Sequence, residues 1–316
     1  MIRAIVVAVV CFVVGLGLYP LLVTVLTRVG AGQMVQEYSP ETHREKAGTP
    51  TMGGLLFCLM AVAVWLAIDR SQAGFVIVYA LVGGASVGLL DDLANVRGLG
   101  SLGLGVRQKL VLQVVVGVAV GFGLHAVGAT GQALPGAGMV NLGWWIVPLA
   151  AIAVVATTNA VNLTDGVDGL AASCMAIALV GALAVAVAYG AGSAAILAAA
   201  LLGTLVAFLV FNWHPARIFM GDTGALGLGA ALTAVCVEVH LLWLLPLLGI
   251  VFVVETASVI ANVTAITRFQ RRIFRASPLH HHFEKMGIGE ERLVLLFSAG
   301  GVAALVLTLL TVNAVV

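Results

Sequence analysis

The chain has 316 residues, of which 61% are hydrophobic and only 9% charged, and its mean hydropathy is +1.14. A soluble fold of this length needs far more charge to cover its surface, so a water-soluble globule is excluded. The formal net charge of +1 conceals an uneven placement of the charged residues, and no nucleic-acid partner is expected.

The first apolar run, Ala4 to Leu26, follows Arg3. It is too long for the hydrophobic region of a signal peptide and lacks a small-x-small cleavage site before Tyr19-Pro20, so it reads as a first membrane span. Ten apolar segments follow one another, roughly 4–27, 52–68, 73–90, 110–128, 143–160, 169–189, 192–211, 223–240, 242–267 and 292–314. They predict an all-α, polytopic membrane protein with about ten transmembrane helices, a single transmembrane domain over 1–316 with no separate soluble domain. Of the 15 Lys and Arg residues, all but Arg3 and Arg70 lie in or beside the joints at 28–51, 91–109, 161–168, 212–222 and 268–291. By the positive-inside rule these joints face the cytoplasm of a plasma membrane and both termini lie outside. Trp144, Trp145 and Trp243 then suit an outer aromatic belt. Cys11, Cys58, Cys174 and Cys236 sit in separate apolar runs without metal or redox spacing and read as small core residues.

Function is therefore sought in the cytoplasmic joints. The first, "SPETHREKAGTPTMGG", sets His43, Arg44 and Lys46 beside Gly48, Thr49 and Thr51; this is a plausible phosphate cradle without the residue order of a P-loop. In "GLLDDLANVRG", Asp91 and Asp92 follow an apolar run directly. A carboxylate at a span centre costs about 2.5–3.5 kcal/mol, so the pair belongs at the interface or in a wet cavity. It reads either as a stop signal for the helix or as a pair that binds Mg²⁺ or accepts a proton. Arg107 and Lys109 add positive charge to the same face.

"TTNAVNLTDGVDGLA" repeats Asn159, Asn162, Asp165 and Asp168 at every third residue, a spacing that winds polar groups along one side of a helix end. Ordinary turn chemistry explains one Asp-Gly but not two with Asn partners. In "FNWHPARIFMGDTGALGLG", Asp222 opens the eighth span, with Asn212 and His214 just before it; it is either a helix N-cap or part of a metal site with the other carboxylates. Glu255 lies inside the ninth span and, by its depth, is a candidate for function or for pairing with a neighbouring helix. Ser258, Asn262 and Thr264 make that span polar enough to be broken or to line a groove.

Last is "SPLHHHFEKMG", with His280, His281 and His282 in succession. Neighbouring side chains on a helix point about 100° apart, so three in a row do not converge on one ion. Arg268, Arg271, Arg272, Arg275 and Lys285 around them repel cations and attract phosphate. A phosphate- or diphosphate-binding loop fits better than a zinc centre. The cytoplasmic side as a whole carries the mixture that a divalent ion, a diphosphate and an acceptor phosphate need, with one soluble and one lipid substrate.

The segments "KAGTPTMGG", "LLDD", "NAVNLTDGVDGLA", "GDTGALGLG" and "SPLHHHFE" stand in the order of the polyprenyl-phosphate hexose-1-phosphate transferases. From about residue 37 to 297 the chain resembles the phospho-N-acetylmuramoyl-pentapeptide-transferase family in particular. The resemblance implies ten transmembrane helices with the ninth broken, a homodimer in the bacterial inner membrane and an active-site cleft facing the cytoplasm. It implies Mg²⁺-dependent transfer of phospho-MurNAc-pentapeptide from UDP-MurNAc-pentapeptide to undecaprenyl phosphate, giving lipid I and UMP in peptidoglycan synthesis.

By motif position, Asp222 would hold Mg²⁺, and Asp91 and Asp92 would act on the acceptor phosphate, with Asp91 as base. Asn162, Asp165 and Asp168 would shape the uridine and diphosphate site with Asn212 nearby. Lys46, Thr51 and Lys109 would line the cleft, and His280, His281 and His282 would contact donor phosphates or sugar. One position departs from the family pattern: Asn95 stands where a Lys usually follows the second Asp by three residues. A sister transferase using a UDP-N-acetylhexosamine is the nearest alternative, and the triple histidine argues against it. A proton- or metal-coupled transporter is the alternative of another class, and it would place charge near the middle of several spans.

Overall fold

The computed structural model describes residues 1–32, 48–96 and 103–315. In chain order the helices are α1 (Ile2–Arg28), α2 (Leu55–Val64, continued by a π-helical turn Trp65–Asp69), α3 (Gln72–Val96), α4 (Val106–Ala126), α5 (Ile146–Thr164) and α6 (Leu170–Ala188). There follow α7 (Gly192–Asn212), α8 (Gly221–Glu238), α9 (Leu245–Leu248), α10 (Ile250–Phe269), α11 (Leu279–Glu284) and α12 (Glu290–Val315). Between α4 and α5 the joint at 129–142 forms an antiparallel hairpin of β1 (Gly131–Leu134) and β2 (Gly138–Asn141). Gln132, fully buried, fastens it to the end of α8 by donating to the Val237 carbonyl at 2.8 Å and accepting from the Leu242 N–H at 3.0 Å.

Among the described residues, eight helices are long and apolar enough to cross a membrane: α1, α3, α4, α5, α6, α7, α10 and α12. The other two anticipated segments are helical but different in kind. The second is the short α2 with its π turn. The eighth, α8, is buried on every side from Thr223 to Val237. A helix that meets only protein has no lipid to satisfy, which is why Gly, Ala and Thr replace large apolar residues along it. The ninth segment is divided at Gly249 into α9 and α10, and α10 then runs unbroken past Glu255.

Because α8 is the hub, its neighbours fix the site. It packs chiefly against α3 and α5, with α4 bound to α5, α1 to α7 and α12 to α6. Helix association in a bilayer gains little from apolar burial and depends on close packing of small residues. At the α3–α8 seam, a Cβ on Gly88 would overlap the Asp222 carbonyl, and one on Gly84 would stand 2.5 Å from the Leu226 oxygen. The backbones touch there, and this brings Asp91 and Asp92, one turn further along α3, onto the start of α8.

The up-and-down course of the helices collects the ends of α3, α5 and α7 and the starts of α4, α6, α8 and α12 at one end of the bundle. Trp144 and Trp145, both largely exposed, stand just before α5 at the opposite end, where α1 also begins and α12 finishes. Gly88→Leu wedges the seam open; overpacking of this kind typically costs about 1–3 kcal/mol. Thermal unfolding in detergent is expected to begin several degrees lower for this variant, whereas Gly17→Leu, where an added Cβ meets nothing within 4 Å, should leave it unchanged.

Candidate active site

Asp92 is 7% exposed and spends its carboxylate on α8. Its Oδ1 accepts the Asp222 N–H at 3.2 Å, and its Oδ2 accepts the Thr223 N–H at 2.9 Å and the Thr223 hydroxyl at 2.7 Å. The first N–H groups of a helix have no partner within it and need an acceptor. Of the two readings of Asp222, the N-cap is not realised, because Asp92 caps α8 from a different helix and Asp222 stands free in the first turn. Gly221 makes the approach feasible: its φ is +72°, and a Cβ there would lie 2.7 Å from both Asp92 Oδ2 and Thr51 Oγ1. Thr51, itself buried, arrives on a strand-like segment whose Gly53 and Gly54 N–H groups bond to the carbonyls of Phe219 and Met220 at 2.9 and 3.1 Å.

Released from capping, Asp222 turns both oxygens to other partners. Its Oδ2 pairs with the Lys109 ammonium and its Oδ1 accepts from Asn162 Nδ2 at 2.6 Å. Lys109 also reaches Asp91 Oδ2 at 3.4 Å, while Asp91 Oδ1 accepts the Leu104 N–H at 2.7 Å. Asp91 and Asp222 thus converge on a single cation position. The departure at Asn95 finds its place here, for Asn95 Nδ2 lies 3.4 Å from Asp91 Oδ2, and Lys109 supplies beside it the positive charge that a Lys at 95 would bring. One turn deeper, Gln113 and Asn159 join α4 to α5, Asn159 Nδ2 donating to Gln113 Oε1 at 2.7 Å.

The Asn/Asp ladder divides at the end of α5. Asn159 and Asn162 are on the helix, Asp165 is its half-buried C-cap, and Asp168 lies in the following loop, 5% exposed. Asp168 Oδ2 accepts the Ala216 N–H at 3.0 Å and stands 3.1 Å from His214 Nδ1, and its own N–H donates to Glu290 Oε2 at 3.1 Å. Asp168, His214 and Glu290 offer ligand atoms within 4.8 Å of one another and form a second group able to hold a metal ion. Glu290, at the start of α12, was passed over in the sequence because no motif surrounds it; its only signal is being the first acid after the histidine loop. Asn212 is buried with both ends of its amide engaged, accepting from Gly169 N–H at 3.0 Å and donating to the Ile218 carbonyl at 2.9 Å. It fastens the loop before α6 to the loop before α8.

The three histidines take three different positions. His280 is fully buried. His281 Nδ1 meets Glu284 Oε2 at 2.5 Å. His282 Nδ1 accepts the Arg275 N–H at 3.0 Å, which makes its Nε2 the protonated nitrogen when the ring is neutral. Lys46 lies outside the described residues, as do His43, Arg44 and Arg97.

The family model of glycosyl transferase family 4 matches residues 74–240, a stretch that runs from α3 to α8 and includes Asp91, Asp92, Lys109, Asn162 and Asp222. Residues 46–58 match signature 1 of the phospho-N-acetylmuramoyl-pentapeptide-transferases. Proteins of that name are similar over almost the whole chain. The one from Geobacillus kaustophilus (strain HTA426) is 43% identical over 310 residues, covering 95% of each chain. That from Moorella thermoacetica (strain ATCC 39073 / JCM 9320) is 44% identical over 306 residues, again covering 95% of each. That from Desulforudis audaxviator (strain MP104C) is 40% identical over 327 residues, covering 98% of each. The chain belongs to the phospho-N-acetylmuramoyl-pentapeptide-transferase family. It is a multi-pass membrane member, and in it the five segments that carry the family pattern meet around the N-terminus of α8 or in the loops beside it.

Within this family site, Asp91 and Asp92 separate by experiment. Asp92→Ala leaves three donors at the start of α8 without an acceptor, each worth about 1–3 kcal/mol when buried. Its unfolding temperature is expected to fall well below that of Asp91→Ala when both are measured in the same detergent.

Proposed function

We propose that the protein transfers phospho-MurNAc-pentapeptide from UDP-MurNAc-pentapeptide to undecaprenyl phosphate, releasing UMP and forming lipid I. The observation that carries this reading is the meeting of Asp91, Lys109, Asn162 and Asp222 at one end of a membrane bundle in a chain of this family. The site faces the cytoplasm of the bacterial plasma membrane, both termini lie outside, and the working form is a homodimer. The unequal distribution of Lys and Arg supports the orientation.

Mg²⁺ fits the oxygen ligands gathered here, and Asp222, with Asp91 beside it, is where it would be held. There it would neutralise charge on the phosphates being exchanged. The remaining work falls to the chain. An oxygen of the acceptor phosphate attacks the donor β-phosphorus, a new P–O–P bond forms to the lipid, and the bond from the β-phosphorus to the oxygen bridging it to the α-phosphorus breaks. UMP leaves with that oxygen. Asp91 takes any proton remaining on the acceptor phosphate, and Lys109, released from Asp222, supports the negative charge carried by the departing UMP. Asn162, Asp165 and Asp168 shape the uridine and diphosphate site, with Asn212 holding their loop in register. Thr51 and Lys109 line the cleft, and His281 and His282 meet the donor's phosphates or sugar. In-line displacement needs positioning and charge neutralisation more than covalent help.

Purified protein with undecaprenyl phosphate and Mg²⁺ is expected to release UMP from UDP-MurNAc-pentapeptide and not from UDP-GlcNAc. The reverse preference would move the protein to the sister branch, and a phosphorylated protein trapped from donor alone would replace direct attack by a covalent route. Asp222→Asn should abolish turnover in folded protein. Lys109→Met should lower turnover by about 100-fold, and adding Asn95→Lys should restore part of it, because the new ammonium approaches the same Asp91 oxygen.

A further inference from the structure

The family reaction makes no demand on Glu255, a carboxylate in the second turn of α10. It is 0% exposed, and so is His280 of α11. Both Glu255 oxygens face the His280 N–H, at 3.2 and 3.3 Å, and Oε2 is also 3.3 Å from His280 Nδ1. That second approach is within ion-pair distance but is not aligned as a hydrogen bond: among the described residues neither ring nitrogen of His280 has a hydrogen-bond partner. A carboxylate at this depth is costly unless an oppositely polarised group faces it, and the imidazole is that group. The far side of the ring presses on the loop between α5 and α6, where a Cβ on Gly166 would stand 2.5 Å from His280 Nε2. Gly166 lies between Asp165 and Asp168.

We propose that Glu255 is a positioning residue for donor binding: it fixes the His280 ring against Gly166, and the ring sets the loop that presents Asp165 and Asp168. Three observations lead to this: the lone buried acid of α10, the fully buried histidine it faces, and the glycine that alone leaves room for the ring. His280 is then separated from the other two histidines. It acts from beneath the loop, whereas His281 and His282 are partly exposed. The chain of contacts runs from α10 through α11 to the loop, so a change at Glu255 reaches the donor without touching it.

The inference rests on the transferase reading, and wild-type turnover tests that reading separately. With active wild-type protein in hand, Glu255→Gln keeps the size of the side chain and an acceptor for the His280 N–H but removes the charge. It is expected to raise KM for the UDP-linked donor by about 10-fold, leaving KM for the lipid phosphate and kcat within about threefold, the signature of weakened ground-state binding of one substrate. In a His280→Gln background the same substitution should add little, because residues acting through one contact are not additive. Gly166→Ala, which displaces the ring from the other side, should raise the donor KM in the same selective way. If Glu255→Gln does not fold, Gly166→Ala and His280→Gln carry the test alone. A purely structural Glu255 would instead lower the unfolding temperature and the active fraction with both KM values unchanged, and that result overturns the proposal. So does a donor KM effect of Glu255→Gln that persists in full when His280 is Gln.

Discussion

Everything at the active end depends on a carboxylate of one helix capping another. The start of α8 lies among protein groups at a membrane boundary, where water cannot be counted on to satisfy its first N–H groups. Asp92 reaches across from α3 to do so. The reach is possible only because glycines at the α3–α8 seam let the two backbones touch. Had Asp222 capped its own helix, its oxygens would have been consumed by the backbone. Borrowing the cap from α3 leaves Asp222 with both oxygens turned toward Lys109 and Asn162. Architecture and chemistry are therefore one constraint: the packing that seats Asp92 also releases Asp222.

A carboxylate so released needs a countercharge, and the chain provides one that is easily exchanged. Lys109 bridges Asp91 and Asp222 from the first turn of α4. A long, flexible side chain holding an ammonium there keeps two nearby carboxylates compatible while no substrate is bound. On the proposed mechanism the same ammonium is free to follow the phosphates once another cation takes its place between the carboxylates. The amide pair of Gln113 and Asn159 one turn deeper holds α4 and α5 at a fixed spacing without adding a charge that would compete for Asp222.

Much of the fold was legible because bilayer thickness imposes a length on every span. The apolar runs of α1, α3 and α12 announce themselves, and the loops between them carry nearly all the positive charge. α8 was legible as the eighth apolar run, but its enclosure was not: buried on every side, it carries small residues where a lipid-facing span carries large apolar ones. At the site, Asp91, Asp92 and Asp222 stood out as carboxylates beside apolar runs, but the sequence holds no sign that Asp92 serves the backbone while Asp222 serves the cleft. That division is set by an approach between residues 130 positions apart. The histidine run stood out in the sequence, yet the burial of His280 goes with a partner on another helix, Glu255, which no local spacing reveals. Glu290 was missed for the same reason.

Among the described residues two groups at this end can hold a cation, and their chemistries separate them. Asp91 and Asp222 present oxygen ligands that already converge on one ammonium, and an all-oxygen set suits a hard ion that keeps part of its water. Asp168, His214 and Glu290 mix an imidazole with carboxylates, a combination better matched to softer divalent metals than to Mg²⁺. They are also engaged otherwise, since Asp168 and Glu290 bond to the backbone of Ala216 and of Asp168 itself. Placing an ion there would compete with contacts that tie the start of α12 and the loop before α8 to the Asp165–Gly169 loop. The second group therefore reads as a clasp that gives the Asp165–Gly169 loop a fixed base, which leaves the carboxylates around Lys109 as the place the proposed mechanism assigns to the metal ion.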